Sequence, residues 1–579
     1  MGHNNIAVKA GFTAVLGIFI TVAIICQSFA APPPLHLTRI TPSGNDVPAG
    51  RQIVFQFDRP VVPMGRMARK ELEIPIVITP SLKCQWRWLN SQALACQLDE
   101  KSALKPATRY AIVVNPGIKT MDGATLEKSV RRSFTTIRPK VRNVWFKTWR
   151  APGIPVIRLT FNQPVFKNSV ARHIFIAAHG ETKPLTGVTV KPDPDIKEKP
   201  SKSASTDSHG EARRFWLVSP QKELPPDLKI ALLVEPGIGS FEGPEKGIEK
   251  RILVSFSTFP PFAFEGIECT DNTGKTIHNA PNDPHPFKNR CNPLRQAALV
   301  FSSPVIAEEI KENVTFTPDL AGGRTDYDPW ANRSGHSSLS YPHKKGQTYR
   351  VWIPELLKAF REYRIESQKN TLRDEFGRPL KTPMDMRFMT NHRLPNFVLT
   401  HRQAVLEKGV DSEVPLVVTN LNGVNITYDR LTVHGKKAGL THEIQIPKAP
   451  DIAFKIPMEA RHMLDGTSGV IQGTVQSRPQ VKKSPWERWF MAQVTPFQVH
   501  VKIGHYNTLI WVTDFATGEP VEGAQVSLYR DTYGALPQTP TRLTHGTTNT
   551  EGIVMLAGTK TIDPLLTTLE SWGLKKPHF

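Results

Sequence analysis

Four cysteines hold the most definite chemistry in this chain. Cys84, Cys96, Cys269 and Cys291 are an even set, of the kind that pairs into disulfides in an oxidising compartment. Cys84 and Cys96 flank Gln85-Trp86-Arg87-Trp88-Leu89-Asn90-Ser91-Gln92-Ala93-Leu94, which reads as a hairpin turning at Asn90-Ser91, so a bridge across it is expected. Cys269 and Cys291 would close the loop that opens a third repeat. Zinc is the other use of four thiols, but no two stand in Cys-x-x-Cys spacing. Catalysis needs a nucleophile, a base and a charge stabiliser in one pocket. The chain carries no His-Glu-x-x-His, no Gly-x-x-x-x-Gly-Lys-Ser/Thr and no Gly-x-Ser-x-Gly. Gly335-His336-Ser337-Ser338 and Gly466-Thr467-Ser468-Gly469 come nearest to a nucleophile elbow, and both read as loops. His278 and His285 share a polar loop with Asp271 and Asp283, where an exposed loop beside a disulfide is preferred to a metal site. Trp86 and Trp88 fall on one face of a predicted strand, either packed in a core or offered to a carbohydrate or partner. No catalytic residue, metal ligand or cofactor site is expected.

The N-terminus reads as an export signal. Lys9 supplies the positive charge, Ala10 to Ile25 an apolar run, and Ser28-Phe29-Ala30 a small-x-small cleavage site, so residues 1–30 are expected to be a signal peptide. An uncleaved anchor competes, because the run approaches the roughly 20 residues that span a bilayer. Cys26 suggests a lipoprotein, but Ile25 stands where a small residue would be wanted. The net charge of +21 is dispersed, without a basic groove set with aromatics, so nucleic acid is not expected. Anionic envelope polymers or lipid headgroups suit it better.

The elements that position these residues come as repeats. Val54-Phe55-Gln56-Phe57-Asp58-Arg59-Pro60-Val61 is rewritten as Ile157-Arg158-Leu159-Thr160-Phe161-Asn162-Gln163-Pro164-Val165 and as Leu299-Val300-Phe301-Ser302-Ser303-Pro304-Val305. Each copy is answered by a short exit, Phe134-Thr135-Thr136, Phe256-Ser257-Thr258 and, more loosely, Phe388-Met389-Thr390. Repetition on this scale means tandem domains. Fifty prolines and 38 glycines punctuate short alternating strands and leave little room for long helices. The expected fold is all-β: tandem immunoglobulin-like antiparallel sandwiches spanning 31–138, 139–259 and 260–393, a further β-domain over 394–490, and an incomplete one over 491–579. Lys191 to Arg213 reads as a solvated insertion, and Pro354 to Glu366 as a helix. Asp374-Glu375-Phe376-Gly377 echoes Asp122-Gly123 of the first copy.

Laid out in this way, the chain resembles the N-terminal part of the bacterial alpha-2-macroglobulins, large exported proteins built from macroglobulin domains that are themselves β-sandwiches. The resemblance rests on the signal sequence, the Phe-x-x-Pro-Val repeats, Trp86-Arg87-Trp88-Leu89 and the strand ends Val114-Asn115-Pro116-Gly117-Ile118 and Val234-Glu235-Pro236-Gly237-Ile238. More specific are the entry Val494-Thr495-Pro496-Phe497-Gln498-Val499 and the module Thr513-Asp514, Thr517-Gly518, Pro520-Val521, Gly523-Ala524. It implies a periplasmic endopeptidase inhibitor, a protease trap, in which these domains are scaffold and proteases the partners. The chain departs from the pattern of the covalent trappers, since none of its cysteines is followed by x-Glu-Gln, the thioester motif. An adhesion module binding peptidoglycan, its associated envelope proteins or another anionic surface is the alternative.

Overall fold

The computed structural model describes residues 33–62, 68–70, 73–99, 103–197, 211–331, 339–411, 413–432, 435–530 and 541–562. The expected signal peptide and the Gly335 loop lie outside them. Among the described residues no helix is long and apolar enough to cross a membrane. Two compact units result, one reaching Thr258 and including Ser340–Lys345, the other made of Phe259–Leu339 and the chain from Gly346 onward.

The first unit begins with a sandwich. Its five-stranded sheet runs in the order Leu37–Thr41, Gln52–Phe57, Ala93–Gln97, Gln85–Asn90, Ala68–Arg69, and its four-stranded sheet Gly44–Val47, Val130–Thr136, Arg109–Val114, Ile76–Thr79. Period-two alternation explains the packing: Ile53, Phe55 and Phe57 are buried along one strand face. They meet Tyr110, Ile112 and Phe134 of the opposite sheet in one core. The chain changes sheets at Pro42, which has no N–H to continue a ladder, and Gly44–Val47 then pairs parallel with Val130–Thr136.

The second repeat differs from a two-sheet sandwich. It is one seven-stranded sheet folded over itself, because Pro184–Pro192 pairs with Ile174–Ala178 at Gly187 and with Ala212–Pro220 at Val188. Trp216, fully buried, donates its indole N–H to the carbonyl of Val165 in the repeated Pro-Val phrase (3.2 Å).

In the second unit, two four-stranded sheets share a core that includes Leu299, Phe301, Tyr363 and Phe388. The expected helix at Pro354 to Glu366 is absent: Glu362–Ser367 is a strand with Tyr363 and Ile365 facing the core, and Phe360 takes φ +48. Burial at a spacing of two overrides a helix-like composition. A three-stranded and a five-stranded sheet follow, built around Leu416, Ile426, Ile471 and Phe490. Trp489–Thr495 belongs to that five-stranded sheet, so a division at 490/491 would fall within a strand. The last described sheets are Phe497–Ile503, Asn507–Asp514, Ile553–Ala557 and, opposite, Gln525–Arg530 with Thr541–Thr547.

The repeated exits are hydrogen-bonded locks. Thr136 donates its N–H to Thr108 O (3.0 Å) and its hydroxyl to Lys105 O (2.6 Å), and that hydroxyl accepts the Thr108 N–H (3.0 Å). Thr258 repeats this with Leu228 and Pro225, and Thr390 with Arg361 and Lys358. A further copy stands in the last domain, where Thr548 bonds Ala524 and Val521. The residue before each partner has positive φ: Ala107, Asp227, Phe360 and Gly523. In the first and third copies a tyrosine completes the corner, its hydroxyl accepting a backbone N–H five residues upstream: Lys105 to Tyr110 (3.0 Å) and Lys358 to Tyr363 (2.9 Å). That corner is a hallmark of immunoglobulin-like sandwiches.

Candidate functional site

The structure joins Cys84 to Cys96 across the hairpin Gln85–Asn90/Ala93–Gln97, and Cys269 to Cys291. Trp86 and Trp88 point inward at 5% and 4% exposure, packed on Phe55 and Phe57, so they are core residues and offer nothing to a ligand. His278, His285, Asp271 and Asp283 do not converge. Asp271 accepts from Thr273 and Lys275 within its own turn, Asp283 accepts the His285 N–H, and His278 Nε2 contacts Glu265 O. Among the described residues no three His, Cys, Asp or Glu side chains are grouped to hold a metal ion. Gly466 to Gly469 is the turn after a short helix, with Gly466 at φ +73.

Polar chemistry is instead spent inside the scaffold. The Asp193 side chain is fully buried and is bonded by Lys147 Nζ (2.9 Å), by Arg158 Nε and by the Asp195 N–H (3.1 Å). Burial pushes its carboxyl up, but the Lys147 and Arg158 hydrogen bonds outweigh this and hold it below the usual range. The start of the supposedly solvated insertion is therefore anchored; residues 198–210 lie outside the described residues. Asp374 is likewise buried, bound to Arg378 and Ser303, whereas its sequence echo Asp122 is exposed beside Arg59.

At the junction of the third and fourth sandwiches, Asp451 accepts the Arg393 N–H (2.7 Å) and an Asn420 amide N–H (2.9 Å), and contacts His392 Nδ1 (2.7 Å). The His392 ring stacks on Phe360 at 3.8 Å, and the Arg290 guanidinium lies 5.4 Å from the centroid of the same Phe360 ring. Sequence pattern gave no hint of this clasp, whose members come from five separate segments.

His343 belongs to the first unit through Ser340–Lys345. Its carbonyl accepts the Ser257 N–H (2.8 Å), and the Trp149 indole donates to Tyr341 O (2.9 Å). The imidazole is 1% exposed, and burial pushes it down to about 4 against the weaker upward pull of Asp227. A depressed folded value means stability is present above the free pKa near 6.5 and is lost as pH falls toward 4. Between pH 7 and pH 5 the loss is about 2 kcal/mol. Hydrogen exchange of Ser340–Lys345 should rise about thirtyfold over that range after intrinsic-rate correction, and His343→Leu should flatten it. Exchange that is equally pH-dependent in His343→Leu would remove the histidine from the explanation.

The exposed surfaces complete the inventory. On the first unit, Trp145 is 61% exposed over a shallow recess lined by Arg142, Asn143, Arg158, Thr160 and Phe215. In the last domain Phe497, Val499 and Val501 are 40%, 49% and 48% exposed along one strand.

No family model matches the chain, and no curated protein matches it. Among solved structures, a fragment of native alpha-2-macroglobulin from Escherichia coli spanning domains MG0-NIE-MG1 aligns at 14% identity and TM-score 0.29, over 46% of this chain and 86% of its own. Salmonella alpha-2-macroglobulin reacted with methylamine aligns at 10% identity and TM-score 0.15, over 92% of this chain and 47% of its own, so this chain spans about half of that protein's length. Surface layer protein SbsC, domains 1–6, aligns at 10% identity and TM-score 0.13, over 90% of this chain and 64% of its own. The all-β fold rests on the chain's own strands and locks.

Proposed function

We propose that this chain is the N-terminal scaffold of an alpha-2-macroglobulin-like endopeptidase inhibitor of the bacterial periplasm, non-enzymatic in itself and acting on proteases together with further domains. The observation that carries the reading is the module at Thr513 to Ala524, where the most specific residues of the resemblance serve one turn. Asp514 accepts from the Ala516 and Thr517 N–H groups (3.0 and 2.9 Å), Thr513 bridges to Pro520, and Gly523, at φ +73, presents Ala524 to the Thr548 lock. Tandem locked sandwiches and buried ion clusters suit a shell whose parts move as rigid bodies. The five domains, divided after residues 138, 259, 393 and Thr495, are part of the proposal.

The test uses the native protein purified from its own cells and mixed with trypsin. Cleavage of casein should slow while hydrolysis of a small peptide ester continues, since a shell excludes only large substrates. Undiminished casein cleavage would sink the reading. A second reading, an envelope-binding module, is favoured by the Trp145 recess with Arg142 beside it and by the +21 charge. It requires salt-sensitive sedimentation with peptidoglycan that Trp145→Ala weakens, with no effect on casein cleavage.

A further inference from the structure

Phe497, Val499 and Val501 face the wrong way for solvent-exposed residues. Cross-strand partners share one face of a sheet. Val499 stands opposite Val512 and Val501 opposite Ile510, and these partners are 2% and 1% exposed. The row therefore lies on the core side, yet each of its members is about half open to water. The layers explain this: three strands on one side are opposed, among the described residues, by the two strands Gln525–Arg530 and Thr541–Thr547. Phe497–Ile503 is also the end strand of its sheet, so one line of its N–H and C=O groups has no neighbouring strand among the described residues. Natural proteins seldom leave a regular apolar edge in this state.

The occupant can be specified from the edge itself. Unpaired backbone groups in a regular row ask for an extended strand, which adds by main-chain hydrogen bonds and gains specificity from alternate side chains. On the face opposite the apolar row the strand carries Gln498, His500 and Lys502, with His500 stacked on Trp511. Lys560 stands at the strand's far end, its N–H bonded to His505 O. Asp514 faces only the first residue, Phe497. A second copy of the same edge would set basic side chains against one another.

We propose that this edge takes up an extended strand of another polypeptide, apolar at every second position and acidic at the positions between. The apolar side chains continue the row of Phe497, Val499 and Val501 and cover it, and the acids face His500 and Lys502. This contact is independent of protease trapping.

The full chain is probed with a short synthetic peptide of alternating valine and glutamate. Its controls are the valine–lysine counterpart and a peptide with valines and glutamates segregated into blocks. The alternating acidic peptide should protect those amides of Phe497–Ile503 that do not pair with Asn507–Asp514 from hydrogen exchange. Both controls should bind about tenfold more weakly or worse. Val501→Lys should abolish the protection, and Lys502→Glu should invert the preference between the acidic and lysine peptides, which keeps the test decisive should the first variant fail to fold. Equal binding of all three peptides would overturn the proposal. So would amides already protected in the chain alone at every dilution, which would assign the cover to the chain's own residues. Protection that grows with protein concentration would assign it to a second copy and overturn the proposal too.

Discussion

Asp374→Ala is expected to destabilise the third sandwich by about 3–5 kcal/mol, the range for removing one partner of a buried ion pair. The carboxylate is fully buried and accepts four hydrogen bonds, from Ser303 Oγ (2.9 Å), the Phe376 N–H (3.0 Å), the Arg378 N–H (2.8 Å) and Arg378 Nε (2.8 Å). Arg378 continues to Pro260 O (2.8 Å) and Ser303 Oγ (3.0 Å), so the cluster ties the start of this domain to its repeated Ser303-Pro304 phrase and to the turn at Gly377. Alanine would strand a guanidinium that is only 26% exposed, together with two backbone N–H groups that the carboxylate alone satisfies in the turn. Asp374→Asn keeps an acceptor for those N–H groups but turns an amide donor toward Arg378, and should lose less. The measurement is urea unfolding of the full chain read by hydrogen exchange at Glu362–Ser367 and Ala298–Phe301, which isolates this domain from the others. A loss below about 1 kcal/mol for the alanine variant would show that the cluster is solvated enough to relax.

How much of this was legible beforehand depends on the range of the interaction. Strands such as Gln52–Phe57 declare themselves, because burial at every second residue is written locally in Ile53, Phe55 and Phe57. The hairpin between Cys84 and Cys96 is local too, although its turn falls at Ser91-Gln92, one residue beyond the expected Asn90-Ser91. The threonine exits were visible as a repeat, but their purpose was not. Thr390 works only because Lys358 and Arg361, thirty-two and twenty-nine residues earlier in the chain, are brought to it by a backbone reversal at Phe360. The copy at Thr548 is hidden for a local reason: Gly546-Thr547 precedes it, without the aromatic that marks the others. Local composition misled at Pro354 to Glu366, where helix formers are overruled by strand pairing to Asp385–Thr390. Asp193 misled in the opposite sense. It sits in a polar stretch that reads as solvated, and it is claimed by cations from distant segments; the Asp451 clasp, held by groups from distant segments, left no local signal at all.

The same distinction between local and long-range ties ranks the two disulfides. Cys269→Ala with Cys291→Ala should lower the stability of the third domain by about 3 kcal/mol, the loop-entropy value for a bridge of this length. The sequence separation is 22 residues, and both cysteines are core members at 3% and 1% exposure. From Cys269, near the end of the first strand of the hairpin Phe264–Thr270/Thr276–Asn279, the chain runs through the turn and second strand and then an irregular excursion, until Arg290-Cys291 pairs parallel with Met389-Thr390. The bridge is thus the main restraint on that excursion, and it holds the short pairing against the threonine lock at Thr390. Cys84→Ala with Cys96→Ala should lose less, although the entropy formula gives nearly the same figure for its separation of 12. There the ladder of Trp86 to Cys96 and Trp88 to Leu94, with both tryptophans packed on Phe55 and Phe57, already closes the hairpin. Cys84 is also only half-buried, so little packing is lost with it. Urea unfolding of the two double variants, followed by hydrogen exchange in each domain with and without reductant, reads the difference directly. An equal or larger loss for the Cys84/Cys96 pair would mean that the hairpin owes its closure to the covalent bond rather than to its aromatic ladder.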